Sequence, residues 1–528
     1  MIELPMTQRH PEGLFLPRSY VCYRATETIQ IDGNVDKPVW QAAPWTEAFE
    51  DHQAPNAPAP WRLTRAAMLW DDEALYIAAR IQEENVWGSI TERDTVIYED
   101  NDFEVFLDVD ARGDHYYELE INALNTVWDM YHPKEYHRRS CLVTAYDIDQ
   151  LETAVKVQGT LNDASDEDEG WTVEVKWPWR AITEHIQRDH VPPTSGQMMR
   201  VNFSRVQYPT PEGEACRLPG SRCEDWIWNS TNCGDLHVPE AWGRVYFSDQ
   251  PPAEGDAAVE AQAAPSPLKP PMPKERHVDD MVWIEPCVIT MGPDPSDVEA
   301  SPAHEVKLDG YWIDRYSVTV AQFARFLDDT GLDEHYCEMM ANPHECGILS
   351  TSEGGYRVVP GRENYPAVYI SYQAAMQYAA WNDRFLPTEA QWERAARGTV
   401  GRSYPWGEEA LTPERANYDY HYGGTTRVGC FPGGATPEGI YDLAGNVKEW
   451  CRDEYHSYPG GGPMLEFVNA ATDELDIHQQ QGLNRELFSV RGGGFSKQGA
   501  NLVSAYRDAD GPGRWFFSLG FRTVREEE

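Results

Sequence analysis

Short runs of alternating apolar and polar residues dominate the first half of the chain. Strand-like patterning begins near Ser19. ETIQIDGNVDKPVWQAAPW (27–45) alternates around a turn at Asp32-Gly33-Asn34. RAAMLWDDEALYIAARIQE (65–83) reads as a hairpin with acidic turn residues between two apolar strands. NDFEVFLDVD (101–110) puts Phe103, Val105 and Leu107 on one face. YYELEINALNTVWDMYH (116–132) is a further pair of strands, and GWTVEVKWPWRAI (170–182), MRVNFSRVQY (199–208) and GRVYFSD (243–249) complete the set. Short strands at regular spacing with turn signals between them predict a β-sandwich over 19–249, after a flexible leader at 1–18.

The pattern then changes. Residues 250–278 are rich in Pro and Ala and nearly free of bulky apolar side chains, the composition of a semi-rigid linker. Beyond it the period lengthens. TVAQFARFLDDTG (319–331) predicts a helix with Thr319 at its cap and Gly331 as its stop. SYQAAMQYAAWNDR (371–384) predicts a second, capped by Ser371, and 389–397 a third. Long insertions at 333–356 and 457–487 interrupt this half; such loops carry function more often than packing.

The strand segments IDGNVDKPVWQAA, LWDDEALYIAARI, NDFEVFLD, YYELEINALNTVWD, GWTVEVKWPW and HVPEAWGRVYF, in that order, resemble the family 9 carbohydrate-binding modules. The resemblance implies a jelly-roll-like sandwich that grips a sugar between tryptophans, typically at a chain end. The residues themselves suit such a site. A pyranose asks for flat aromatics against its faces and charged hydrogen-bonders at its rim. Trp87 in VWGSITERD and Trp228 in DWIWNS lie in polar, loop-like stretches and are the candidate platforms, with Trp128 a third. Glu92, Arg93 and Asp102 are candidates for the rim. Asp102 and Glu104 read equally as structural acids or calcium ligands.

The second half carries MVWIEPCVITMG (281–292), HEVKLDGYWIDRYSVTVAQFARFL (304–327), FLPTEAQWERAARG (385–398), SYPWGEE (403–409), GIYDLAGNVKEW (439–450), SVRGGGF (489–495) and LGFRTV (519–524). Over 279–528 this resembles the formylglycine-generating enzyme, or sulfatase-modifying factor, family. The resemblance implies a loop-rich α+β fold of C-type-lectin-like architecture, often with bound calcium. The expected fold is thus multidomain, an all-β sandwich followed by an α+β domain. Asp442, Gly445, Val447 and Glu449 match one calcium loop, and Asn417 with Tyr418 match half of a second. On spacing alone GIYDLAGNVKEW is equally a capped turn with two solvated acids. Arg491 and Arg522 match structural ion-pair positions. The positions of the family's copper-binding cysteine pair fall at Lys497 and Leu502, and neither side chain is a thiolate. Copper or iron is therefore not expected. The residues left to contact a ligand in that groove are Lys497, Tyr506, Arg507, Asp510, Arg514 and Trp515.

Composition narrows the partners. The net charge of −43 repels nucleic acid and anionic membrane. No apolar run approaches the ~20 residues of a membrane span, and the N-terminus shows no export signal, which predicts a soluble chain, cytoplasmic on this reading and extracellular or periplasmic if the true start lies upstream. Among the 528 residues, 12% are aromatic, a surplus that suits sugar faces or β cores. Ten cysteines form no CxxC motif. Cys216, Cys223 and Cys233 cluster, as do Cys337 and Cys346, the latter with His335 and His344 as a possible zinc set. Together these readings predict a carbohydrate-binding protein whose second domain is a non-catalytic recognition module for a glycan, peptide or protein. An oxidoreductase with an altered site and an accessory targeting protein of polysaccharide degradation are the alternatives.

Overall fold

A computed structural model describes residues 16–52, 58–133, 146–163, 165–182, 191–208, 223–231, 235–252, 267–271, 280–292, 301–331, 346–351, 355–460 and 487–526. The chain divides into two compact units, one holding 17–266 and the other most of 267–528.

The first unit is one long sheet folded over a shared core. Its strands are β1 (Ser19–Arg24), β2 (Glu50–Asp51), β3 (Thr64–Trp70), β4 (Ala74–Gln82), β5 (Asp102–Asp108), β6 (Tyr116–Asn122), β7 (Val127–His132), β8 (Glu152–Gln158), β9 (Gly170–Pro178), β10 (Met198–Gln207), β11 (Glu224–Ile227) and β12 (Gly243–Phe247). They run in the order β7-β6-β5-β10-β12-β1-β3-β4-β9-β8. β1 is the hinge of this arrangement: Ser19–Cys22 pair with β12, while Tyr23 and Arg24 pair with β3. The two halves face each other across Phe103, Val105, Leu107, Leu119, Ile121, Val173, Val175 and Phe203, all fully buried. This is the period-2 set expected from the sequence, and burying one face of each strand fixes its register.

Residues 27–45 depart from expectation. Gly33 makes the turn with φ +77°, but the stretch forms no strand. Pro38–Ala42 is a short helix, α1, with Pro38 in its first turn, where a missing N–H costs nothing. Trp40 is locked by an Nε1–H donated to Glu174 Oε1 at 2.7 Å. A second short helix, α2 (Trp179–Ile182), follows β9.

The second unit is loop-rich, with small sheets and, among the described residues, three further helices: α3 (Val320–Thr330), α4 (Tyr372–Trp381) and α5 (Glu389–Arg397). Thr319 and Thr388 both form reciprocal capping boxes, with Gln322 and Gln391, and Gly331 closes α3 at φ +60°. The central sheet runs Asp508–Asp510, Phe488–Arg491, Lys448–Glu454, Leu519–Gly520. The backbone N–H of Leu268 donates to the His421 carbonyl at 2.7 Å, so this unit takes in residues that composition assigns to the linker. Among the described residues no helix is long and apolar enough to cross a membrane.

Candidate functional site

In the first unit Trp87 lies on the β4–β5 connection, half-buried against the cluster of Val206 and Tyr208, on which Tyr98 and Cys223 also pack. Its backbone is pinned on both sides. Val86 N–H donates to Asp168 Oδ2 at 2.8 Å. Gly88 and Asn162 exchange two hydrogen bonds, each of 2.9 Å. Asp100 then gathers the N–H groups of Ser89 and Ile90 at 2.8 Å each. A tryptophan on a segment held this tightly is a preorganised platform, because little ordering remains to be done when a ring stacks on it.

The other expected sugar contacts fare differently. Glu92 and Arg93 are exposed, but the Arg93 fork is spent on Asp129 and on Asp147 at 3.3 Å. Burial pushes the Asp129 carboxyl up to about 6, with the Ile148 N–H and Arg93 opposing the rise. Asp102 is fully buried, accepts from Val206 N–H at 3.1 Å and cannot reach a rim hydroxyl. Trp128 is buried with Ile97 and Met130. Trp228 is a core residue: it is fully buried, stands 6.3 Å edge-on to Tyr20, and donates Nε1–H to Glu47 at 3.1 Å. Gly243 makes room for that ring; a Cβ there would meet it at 2.3 Å. Sequence reasoning missed Trp61, which is 49% exposed, edge-on to Trp226 at 5.1 Å, with the Arg62 guanidinium 4.7 Å over it. Trp226 pairs with Arg205 just before β10 reaches Tyr208, so Trp61 and Trp87 belong to the same end of the sandwich.

In the second unit Glu449, expected as a calcium ligand, is engaged by protein groups. Both its oxygens are filled. Oε1 accepts from Ser317 Oγ at 2.7 Å and Arg522 at 3.0 Å; Oε2 accepts from Trp392 Nε1 at 2.8 Å and Arg522 Nε at 2.7 Å. The guanidinium occupies the place of a cation, as the ion-pair role of Arg522 implied. Asp442 Oδ2 accepts the Gly429 N–H at 2.7 Å, and Gly445 N–H and Val447 sit in the tight turn beside it. Asn417 fits a cation better, since its buried Oδ1 has no hydrogen-bond partner. The neighbouring Tyr418 carbonyl already accepts the His421 N–H at 3.0 Å.

Lys497 and Leu502 are both buried. Leu502 fills an apolar cluster with Ala416, Ala444, Tyr404, Trp406 and Leu411. Arg507 and Tyr506 are both buried. Arg507 grips Glu389 through two bonds of 2.7 and 2.8 Å, between the rings of Tyr455 and Tyr458. The Tyr506 carbonyl accepts from Arg491, itself 3.0 Å from Glu389. Asp510 is buried on Lys448 at 2.8 Å and meets Arg514 at 3.3 Å. Arg514 and Trp515, half-buried, keep accessible surface, and Trp515 packs 5.9 Å from Tyr369. Cys223 carries a free thiol, whereas its suggested partners Cys216 and Cys233 lie outside the described residues. Cys346 is buried against the Ile348 carbonyl, and His335, Cys337 and His344 also lie outside.

Burial raises the Glu389 carboxyl, but Arg507 and Arg491 outweigh it and hold it at about 2. That lies below the ordinary glutamate value of ~4.3, so the stabilisation is complete above that pH and is lost as pH falls toward 2. The shift corresponds to roughly 3 kcal/mol. The expected result is a melting temperature of the second unit that drops between pH 5 and pH 2, a drop that Glu389→Gln flattens; an unaltered slope in the variant would refute it.

The fold and these residues define a β-sandwich of the carbohydrate-binding kind joined to a loop-rich domain of C-type-lectin-like architecture. Residues 31–203 match the family model described as carbohydrate family 9 binding domain-like, and residues 267–527 that of the sulfatase-modifying factor enzyme 1-like domain. A serine/threonine-protein kinase Pkn1 of Chlamydia trachomatis is 32% identical over 252 residues, 47% of this chain and 38% of the relative. The chain therefore spans well under half of that protein. A formylglycine-generating enzyme of Thermomonospora curvata is 33% identical over 200 residues, covering 30% of this chain and 64% of the relative. Among solved structures, a family 9 carbohydrate-binding module from Caldicellulosiruptor kristjanssonii in complex with cellotriose is 18% identical, with a TM-score of 0.30, over 47% of this chain and all of that one.

Proposed function

We propose that the first unit binds the end of an oligosaccharide, with Trp87 as its stacking face and Trp61 as a second aromatic at the same end of the sandwich. The observation that carries this reading is the half-buried Trp87 on a backbone anchored by Asp168, Asn162 and Asp100. The family 9 match supports the ligand class. We further propose that the second unit serves as a recognition domain rather than an oxidase. Lys497 and Leu502 occupy the positions of the metal-binding sulfurs, and an ammonium and an isobutyl group offer nothing to a soft metal. Calcium is the cation this domain would take, with Asn417 Oδ1 as the ligand atom in need of one.

The test pairs two assays on the full chain. A panel of short oligosaccharides that includes cellotriose is expected to show saturable binding, lost in Trp87→Ala. Incubation with a cysteine peptide, oxygen and copper is expected to yield no aldehyde. Turnover in the second assay would overturn the recognition role of the second unit. Silence across the first would overturn the role of the first.

A further inference from the structure

Strands β5 and β6 carry acids on the face that turns away from the apolar core. Phe103, Val105, Leu119 and Ile121 point into that core, so Asp102, Glu104, Glu118 and Glu120 share the opposite face. Glu104 stands directly across from Glu120 in the antiparallel register. Like charges at that position are destabilising. All the same, these side chains are buried: Asp102 is 0%, Glu104 3% and Glu120 2% exposed.

Neighbouring acids on this part of the unit have found partners. Glu118 lies 2.7 Å from His132 Nε2, and Glu83 accepts from Trp171 Nε1 at 2.8 Å. Among the described residues Asp102, Glu104 and Glu120 form no ion pair, and the nearby Arg205 guanidinium pairs instead with Glu83. Asp102 Oδ1 receives the Val206 N–H at 3.1 Å and Glu120 Oε2 the Tyr98 N–H at 3.0 Å. Asp102 Oδ2 and Glu104 Oε2 are buried with no hydrogen-bond partner at all. Burial drives all three carboxyls up, and among the charges that act most on them the other acids push the same way. A buried carboxylate oxygen left without a donor costs several kcal/mol unless something positive meets it.

The geometry suits one positive guest. One oxygen from each of the three acids lies within 4.8 Å of the others. Calcium binds oxygen at about 2.3–2.6 Å, so oxygens up to about 5 Å apart can share one ion. The donor set is all carboxylate, which favours a hard cation over a soft one.

We propose that Asp102, Glu104 and Glu120 hold a divalent cation of the calcium class that cross-links β5 to β6. The ion would also brace the segment that carries Trp87, because the Tyr98 N–H rests on Glu120.

The test uses the full chain, stripped with chelator and titrated with Ca2+ by calorimetry. Relative to the wild type, the near-isosteric double variant Glu104→Gln/Glu120→Gln is expected to lose about one equivalent of bound Ca2+. It is also expected to lose the Ca2+-dependent rise in melting temperature of the first unit. Equal stoichiometry and an equal rise in the two proteins would overturn the proposal. A second readout does not need that variant to fold. Trp128 faces Glu120 in the β6–β7 register. Tryptophan-excited luminescence of Tb3+ bound to the wild type should therefore fall by at least about half in Trp128→Phe. An unchanged signal would place the ion elsewhere and overturn the assignment.

Discussion

Glu389→Ala lowers the stability of the second unit by about 3–5 kcal/mol, the loss expected when one partner of a buried ion pair is removed. Arg507 and Arg491 are both essentially unexposed, and Glu389 is the carboxylate they share. Arg507 also lies over two tyrosine rings, 4.3 and 4.0 Å from their centroids. Arg491 retains Glu393 as a second carboxylate partner. Replacing the pair by Glu389→Leu with Arg507→Met is expected to recover much of the loss, because apolar packing offsets a buried ion pair. Chemical denaturation, read through the transition of this unit, checks both. A change under about 1 kcal/mol in Glu389→Ala would show that the network contributes little.

Trp228→Ala costs the first unit about 3–5 kcal/mol, as expected for a buried indole cut back to a methyl. The ring touches Tyr20 and Phe203 and fills the space that Gly243 leaves open. Trp87→Ala, by contrast, changes stability by about 1 kcal/mol, since half-buried surface residues contribute less. The contrast separates a tryptophan that builds the fold from one that is offered to a ligand. Equal destabilisation by the two substitutions would contradict it.

Much of this architecture was legible from local pattern. The hairpin over β3 and β4 was marked by two apolar runs on either side of Asp71-Asp72-Glu73, and the pairing joins Trp70 to Leu75 as that turn requires. The three helices of the second unit were marked by their caps. Three features were not legible because they depend on distant contacts. Residues 38–42 became helical around a tryptophan bonded to Glu174, 134 positions away. Glu449, in the loop that the family pattern marks for calcium, met Arg522, 73 positions away. Trp228 looked loop-like from DWIWNS, yet β11 ends at Ile227 and delivers the next residue straight into the core. Trp61 escaped notice because a proline-rich stretch precedes it; an isolated tryptophan beside an arginine in such a stretch was the available signal. The buried acids of β5 and β6 were visible as polar members of alternating strands, but their shared burial was not.

The most direct measurement is a calorimetric titration of the full chain and of its Trp87→Ala variant with short oligosaccharides, both proteins first shown to melt alike. The account predicts saturable binding by the wild type and a loss of about 2 kcal/mol or more in the variant, roughly 30-fold in affinity. Binding of equal strength by the two proteins, or no heat from either across the panel, would contradict it.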